Sequence, residues 1–365
     1  MGHTKELFDR TIAAVLDQTL IEKVTEEPFQ EVIGTRYISI LKKAIHAGFH
    51  KIGIETIRYH FYKSLALENH WIRRRFNLPF YKLVLENTET FDRIYEWLSD
   101  SYSKRVFDWF VQIHVAGLFL GKDAPLLFPR IEKDKVAEQK LPIIEKNGIL
   151  SDRYTVSGYR MHCRKDIIES TFRFRQYAYK DTVLPLNGET VIDGGAYYGD
   201  TGIWFSDAVG RDGHVWCFEP NENNQKILCK NIAVNRLTNM TPIPKGLWEE
   251  EGQLSFFLSE ASSRVIKEKS ASSISVTSLD SFVEKKKIPK VDFIKLDIEG
   301  AERNALNGME MTIRRFKPKL AVCVYHRYDD IFVIPQFIKT LHPGYRLFID
   351  HFYDGLTETV MFFLP

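Results

Sequence analysis

Four carboxylates and one histidine stand where short apolar runs of the chain end. Asp193 closes VID, Glu219 closes HVWCFE, Asp297 and Glu299 close VDFIKLDIE, and His326 closes PKLAVCVYH. Short apolar runs bounded by turn residues read as buried strands. In open α/β sheets, ligands bind beyond the carboxyl ends of the strands, so these side chains are candidates for one site. A carboxylate there can accept a hydroxyl's hydrogen bonds, neutralise a cation or take a proton. A histidine titrating near neutrality is a natural general base. Between Asp193 and the polar pair Asp200 and Thr201 lie Gly194, Gly195 and Gly199. That pattern reads as strand, tight turn and helix start, where glycine lets the backbone come close to a ligand and the first helical N–H groups are free to bind it.

The elements that must position these residues follow from periodicity. From about residue 150 onward, strand-like runs alternate with helical ones, which is the pattern of a parallel sheet. Expected strands lie at ETVIDGG, HVWCFEP, MTPIP, VDFIKLDIEG, PKLAVCVYH, YRLFID and TETVMFFLP. GLWEEEGQLSFFLS reads as a hairpin turning at Glu251–Gly252, and FRFRQYAYKDTVLP as a helix ending before Pro185. Residues 1–150 carry apolar stripes at helical spacing instead. Among them are Leu7, Phe8, Ile12, Val15 and Leu16; Ile33, Tyr37, Ile40 and Leu41; Ile54, Ile57 and Phe61; Phe91, Ile94 and Tyr95; and Phe107, Phe110, Val111 and His114. The expected organisation is a helical accessory domain over 1–150 and an α/β domain over 151–365. The helical part is expected to shape a substrate entrance or to make a homo-oligomer contact. Arg73, Arg74 and Arg75 read as a solvated face, and His46, His50, His60 and His70 as surface or capping residues.

The acids also bear on the ligand class. A carboxylate ending the second strand, Glu219, suits a ribose diol, as in dinucleotide folds. The glycines, however, follow D-x-G-x-x-x-G (Asp193, Gly195, Gly199) rather than G-x-G-x-x-G, so no pyrophosphate cradle is written. An acid at the first turn fits a cationic ligand better than a diphosphate. S-adenosylmethionine combines a ribose diol, an ammonium and a sulfonium with no phosphate.

Several stretches, in order and spacing, resemble the FkbM family of S-adenosylmethionine-dependent methyltransferases: VIDGGAYYGDT, VWCFEPNENNQKILCKNIAVN, GLWEEEGQLSF, TSLDSF, VDFIKLDIEGAERNALNG, KPKLAVCVYHRYDD and HFYDGLTETVMFFLP. The resemblance runs from about residue 185 to the end, and KLDIEGAE and YH are its more specific parts. It implies a class I methyltransferase (Rossmann-like) fold, a seven-stranded, mostly parallel sheet with an antiparallel last strand, and O-methylation of a sugar, glycan or other small hydroxylated acceptor. Carried onto this sequence, it places Asp193, Gly195, Tyr198, Gly199, Asp200 and Thr201 around the methionine part of the cofactor. Glu219 takes the ribose, with Pro220 and Asn221 beside it. Gly246, Leu247 and Trp248 meet the adenine. Gly194 departs from the family's usual valine or isoleucine and is expected to loosen the turn.

Methyl transfer to a hydroxyl needs alignment, exclusion of water and a proton acceptor. His326 is the expected base, with Asp297 on cofactor or substrate and Glu299 on substrate. No metal is expected. The alternative is a divalent ion held by Asp297, Glu299 and Asp329. Lys295, in mid-strand, needs an acidic partner if buried, and His351 reads as a bystander. Two other functions fit less well: a methyltransferase-like scaffold whose helical half binds a partner, and a nicotinamide oxidoreductase, for which the phosphate cradle is missing.

The 50 basic and 48 acidic residues give a net charge of +2, which is no nucleic-acid footprint. The four cysteines show neither zinc nor disulfide spacing. The start, MGHTKELFDR, reads as no signal peptide, and Glu6 stands where a myristoylation signal wants Ser or Thr. The longest apolar run, VQIHVAGLFL, is too short for a membrane span. A cytoplasmic protein is expected.

Overall fold

The structure is a computed structural model of the chain. It describes residues 2–17, 76–121, 124–129, 131, 144–146, 153–257, 264–265, 272–352 and 357–365. The stripes at 33–61, Arg73–Arg75 and His46, His50, His60 and His70 lie outside the described residues. Two compact units emerge: Met1–Lys133 with Arg327–Phe332, and Asp134–His326 with Val333–Pro365.

The described part of the first unit is helical: His3–Leu16, Leu78–Glu86, Thr88–Trp97, Ser101–Leu120 and Ala124–Leu127. Asp100 caps the longest helix, its side chain accepting from the Ser103 N–H at 2.7 Å. The apolar stripes turn inward. Leu7, Phe8 and Val15, Phe91 and Ile94, and Phe107, Phe110 and Val111 are all buried. No described helix is long and apolar enough to cross a membrane.

The second unit is built on seven strands: β1 Thr190–Gly194, β2 His214–Phe218, β3 Met240–Ile243, β4 Phe293–Leu296, β5 Lys319–Cys323, β6 Arg346–His351 and β7 Thr359–Leu364. Their order across the sheet is β6-β7-β5-β4-β1-β2-β3. Neighbouring strands from β5 to β3 are parallel, while β7 runs antiparallel to both β5 and β6. This is the class I methyltransferase topology, an α/β fold with an antiparallel last strand. The central strands are apolar throughout because both faces are covered: Val191, Ile192, Phe293, Ile294, Leu296, Leu320, Ala321 and Val322 have no exposed surface. The register sets Asp193 of β1 opposite Lys295 of β4.

Two local expectations change. The segment around Glu251–Gly252 is not a hairpin. Gly246–Leu247 pairs in parallel with Ser272–Thr277, which pairs antiparallel with Gly252–Phe257, so a distant strand separates the two expected arms. The helix expected over 172–185 stops at Arg173, and the chain then turns back through a Tyr179–Val183 bridge. After β4 the chain forms two short helices, Glu302–Asn307 and Glu310–Phe316, and Gly308 between them lies against the Trp248 carbonyl, where a Cβ would sit 2.0 Å from the oxygen.

The first glycine turn is tied down from two sides. The N–H groups of Gly195 and Ala196 both donate to the Phe218 carbonyl at 3.0 Å, and the Asp297 N–H donates to the Gly194 carbonyl at 3.1 Å. Gly195 has φ +80°, and a Cβ there would lie 1.8 Å from the Asp297 carbonyl oxygen. At Gly194 the space a larger residue would take is filled by Leu247 and Leu296. Gly195→Ala is therefore expected to destabilise the second unit by more than about 2 kcal/mol, since it adds a backbone collision to the left-handed penalty. Chemical denaturation checks this.

Candidate active site

A cavity of about 880 Å³ opens at the carboxyl ends of β1, β2 and β4. Of the residues proposed from sequence, it is lined by Gly195, Tyr198, Asp200, Thr201, Glu219, Pro220, Asn221, Gly246, Leu247, Trp248, Asp297 and Glu299. Asp193, Gly199 and His326 lie behind the wall.

Asp193 is fully buried. Its Oδ2 accepts from the Thr201 hydroxyl at 2.6 Å, and its Oδ1 is 3.2 Å from the Lys295 ammonium. Lys295 in turn donates to the Gly195 carbonyl at 2.7 Å and lies 4.8 Å from the centre of the Tyr177 ring. Burial pulls the lysine pKa down, but Asp193 and Asp297 outweigh it and hold the pKa above its ordinary value. The charge of Asp193 is thus used to lock the turn, while the turn's backbone faces the cavity.

Glu219 ends β2 with both oxygens oriented. Oε2 accepts from the Tyr197 N–H at 3.0 Å and Oε1 from the Asn221 N–H at 2.8 Å. Burial pushes its carboxyl up to about 7 despite these hydrogen bonds. Asp200, at the start of the helix Asp200–Val209, accepts from the Thr171 hydroxyl at 2.6 Å, and burial lifts it to about 6. Lys245 turns away to Glu251 at 2.7 Å.

Beyond β4 the acids are sorted by their neighbours. Burial would raise the Asp297 carboxyl, but Lys295, His326 and hydrogen bonding by Tyr177 bring it below its ordinary value. The Tyr177 hydroxyl donates to Oδ2 at 2.6 Å and the Tyr325 hydroxyl to Oδ1 at 3.1 Å. Glu299 and Glu358, both on the cavity wall, are each pushed up to about 7 by burial and by nearby carboxylates. Gln176 donates to Glu358 at 2.5 Å. Tyr197, Glu299 and Glu358 have left-handed backbones (φ 47°, 56° and 72°), and all three line the cavity. Non-glycine residues held this way concentrate at functional sites.

His326 is enclosed by carboxylates. Nε2 is 3.5 Å from Asp297 and 3.7 Å from Glu299, and Nδ1 is 2.9 Å from Glu302. Burial alone would lower its pKa, but Glu302, Asp297 and Glu299 push it up to about 10. Asp297, Glu302 and His326 each bring one atom within 4.8 Å of the others, a spacing open to a cation. Asp329 belongs to the first unit. His351 is buried in β6 with its Nδ1 2.8 Å from the Thr359 hydroxyl.

Sequence reasoning missed Tyr177, Gln176, Glu302, Tyr325 and Glu358 as parts of this site. Glu302 sits inside the quoted KLDIEGAE, so a signal existed. Tyr177 and Gln176 lie in the stretch misread as helix.

Residues 193–350 match the family model described as Methyltransferase FkbM domain. Fold and matched stretch together support a methyltransferase, and over residues 193–350 the chain is similar to an FkbM methyltransferase domain. Among solved structures, methyltransferase FkbM from Methylobacillus flagellatus KT is similar over 78% of this chain at 20% identity, with a TM-score of 0.52, which shows the fold. The match spans 60% of that chain's length. Weaker likenesses include a putative rRNA methylase from Clostridium thermocellum (12% identity, 49% of this chain and 86% of that one, TM-score 0.34). Another is Aeropyrum pernix fibrillarin in complex with natively bound S-adenosylmethionine (16% identity, 50% and 69%, TM-score 0.33). No curated protein matches the chain.

The buried Lys295–Asp193 pair makes a stability prediction. Lys295→Met leaves Asp193 buried without its cation and is expected to cost about 3–5 kcal/mol. Adding Asp193→Asn should recover part of that loss. Denaturant midpoints of the single and double variants check this.

Proposed function

We propose that the protein transfers a methyl group from S-adenosylmethionine to a hydroxyl of a sugar, glycan or other small hydroxylated acceptor. One observation carries the reading. Glu219, with both oxygens held, and Asp297 with Glu299, at the end of β4, face a single cavity whose floor is the locked glycine turn. The donor set fits that cofactor. Glu219 suits a ribose diol, Gly246, Leu247 and Trp248 form a partly apolar wall for an adenine, and the surplus of carboxylates suits an ammonium and a sulfonium. No phosphate cradle competes with that assignment.

When bound, the cofactor supplies an electrophilic methyl group with a neutral leaving group. The chain's own task is to bind and orient the reactants, exclude water and accept the hydroxyl proton. Asp297, kept ionised by Lys295, His326 and two tyrosine hydroxyls, orients the reacting groups. His326 is the base expected from sequence, but three carboxylates keep its ring protonated and its side chain is only 8% exposed. We therefore assign the proton transfer to Glu299, which lines the cavity, is 44% exposed and has its carboxyl pushed up to about 7. His326 lies near both carboxylates, and Lys295 with the Tyr177 hydroxyl sets Asp297 apart from Glu299 in acidity.

Calorimetric titration of the full chain with S-adenosylmethionine and S-adenosylhomocysteine tests the donor site. Binding of both is expected, and binding of neither would end the reading. The ionised Glu219 carboxylate is the acceptor of the ribose hydrogen bonds, so affinity should fall as pH drops below 7, by up to about tenfold per pH unit. Glu219→Gln should bind weakly and lose this pH dependence. For the acceptor, radiolabelled methyl donor in a cell extract should label a glycan or small-molecule fraction, and Glu299→Gln should abolish the labelling while retaining donor binding.

A further inference from the structure

We propose that Glu358 is the acceptor-recognising residue of this site. Its Oε1 takes a hydrogen bond from a hydroxyl or amine beside the hydroxyl that is methylated, and the acceptor residue so held carries no negative charge. The proposal rests on the methyl-transfer reading and names the class of acceptor within it.

Glu358 stands on the cavity wall, immediately before β7. Two side chains fix its carboxylate. Gln176, itself buried, donates to Oε2 at 2.5 Å, and the Tyr325 hydroxyl reaches the same oxygen at 3.3 Å. Both contacts fall on Oε2, and Oε1 accepts nothing from a described residue. A carboxylate oxygen has room for two donors, and leaving it without any is costly once water is kept out. On a cavity wall, the missing donor comes from what fills the cavity. The same few residues set Glu358 against the reacting end of the site. The Tyr325 hydroxyl also reaches Asp297 Oδ1 at 3.1 Å, and Tyr177, next to Gln176 in the chain, donates to Asp297 Oδ2 at 2.6 Å. One hydroxyl therefore lies within hydrogen-bond reach of both carboxylates. A ligand group on Glu358 Oε1 is then a close neighbour of the group being methylated, as the second hydroxyl of a diol or the amine of an amino alcohol would be.

The cations of the wall sharpen the class. Among the described residues, Arg164 and Lys295 are the lysine and arginine side chains that line the cavity, and each already has its anion. Arg164 forks onto Asp166, with Nε on Oδ1 at 3.1 Å and Nη2 on Oδ2 at 2.5 Å. Lys295 is held by Asp193 and the Gly195 carbonyl. Neither is left to neutralise a phosphate or carboxylate on an acceptor. Such a group would also meet Asp297, Glu299 and Glu358, and like charges across a contact reject a ligand. A hydroxyl or amine satisfies Oε1, whereas an anion leaves it unsatisfied. A site built to receive a hydrogen bond discriminates steeply against a ligand that cannot give one.

The test uses the full chain with radiolabelled S-adenosylmethionine and a cell extract. The labelled product is cleaved to single residues with phosphate esters kept intact, and the methylated residue is run by electrophoresis. It should be neutral or cationic, and an anionic one, such as a uronic acid or a sugar phosphate, would overturn the proposal. The acceptor fraction of the same extract then serves as titrated substrate. Glu358→Ala should raise the apparent KM for that fraction by about tenfold or more, with kcat and S-adenosylhomocysteine affinity kept within about threefold. Glu358→Gln, which keeps the shape but not the charge, should raise it less. A residue that only supports the wall would lower kcat or donor affinity instead, so that result, or an unchanged KM in Glu358→Ala, would overturn the assignment. If Glu358→Ala fails to fold, Glu358→Gln against wild type decides by the same KM. A wild type that binds no S-adenosylmethionine, or that labels nothing, ends the methyl-transfer reading and this proposal with it. A wild type that labels an acceptor while the Glu358 variants match it ends this proposal alone.

Discussion

One buried ion pair, Lys295 with Asp193, underlies the geometry of the site. The register of β4 on β1 sets the two residues side by side in the sheet interior. An unpaired ammonium there would be strongly disfavoured, and an unpaired carboxylate equally so. Because Lys295 also holds the Gly195 carbonyl, the pair decides where the glycine turn points. The turn cannot be rebuilt with a side chain, since Gly195 is pressed against the backbone of Asp297. Thus the glycine turn after β1 and the segment after β4 share a contact, and neither can move without the other.

The same lysine begins a gradient of acidity across the cavity. Asp297, closest to Lys295 and His326, is held below its ordinary pKa. Glu299, nearly as close to His326 but without Lys295 beside it, and Glu358 are raised to about 7, with burial the largest cause. Carboxylates of one chemical type are thereby divided between one of lowered pKa and two raised toward neutrality, the kind of division by which a site can combine an anchor with a base. His326 is part of the first set rather than the second. A histidine at a strand end suggests a base only while its surroundings are unknown, and three carboxylates reverse that expectation.

The fold was legible because its signals are local. Alternating apolar runs and helical stripes mark the strands, and the acids ending VID, HVWCFE and VDFIKLDIE mark the mouth of the cavity. Lys295 within IKLD announced that an acidic partner would be needed, and Asp193 is that partner. What stayed hidden depends on contacts distant in sequence. Gly246–Leu247 joins Ser272–Thr277 rather than its neighbour across Glu251–Gly252, because the pairing partner lies a full loop away. Tyr177 reaches Asp297 across 120 residues, and Glu358 joins through Tyr325 and Gln176. No periodicity encodes such meetings. The withdrawal of Asp193 behind the wall likewise depends on a register that spacing alone does not reveal.

The account stands or falls on what the cavity at the ends of β1, β2 and β4 holds. The most direct measurement is a crystal structure of the full chain grown with S-adenosylhomocysteine. It should show the ribose hydroxyls on the Glu219 carboxylate, the adenine beside Leu247 and Trp248, and the sulfur end directed toward Asp297. A ligand bound elsewhere, or one whose ribose makes no contact with Glu219, would contradict it.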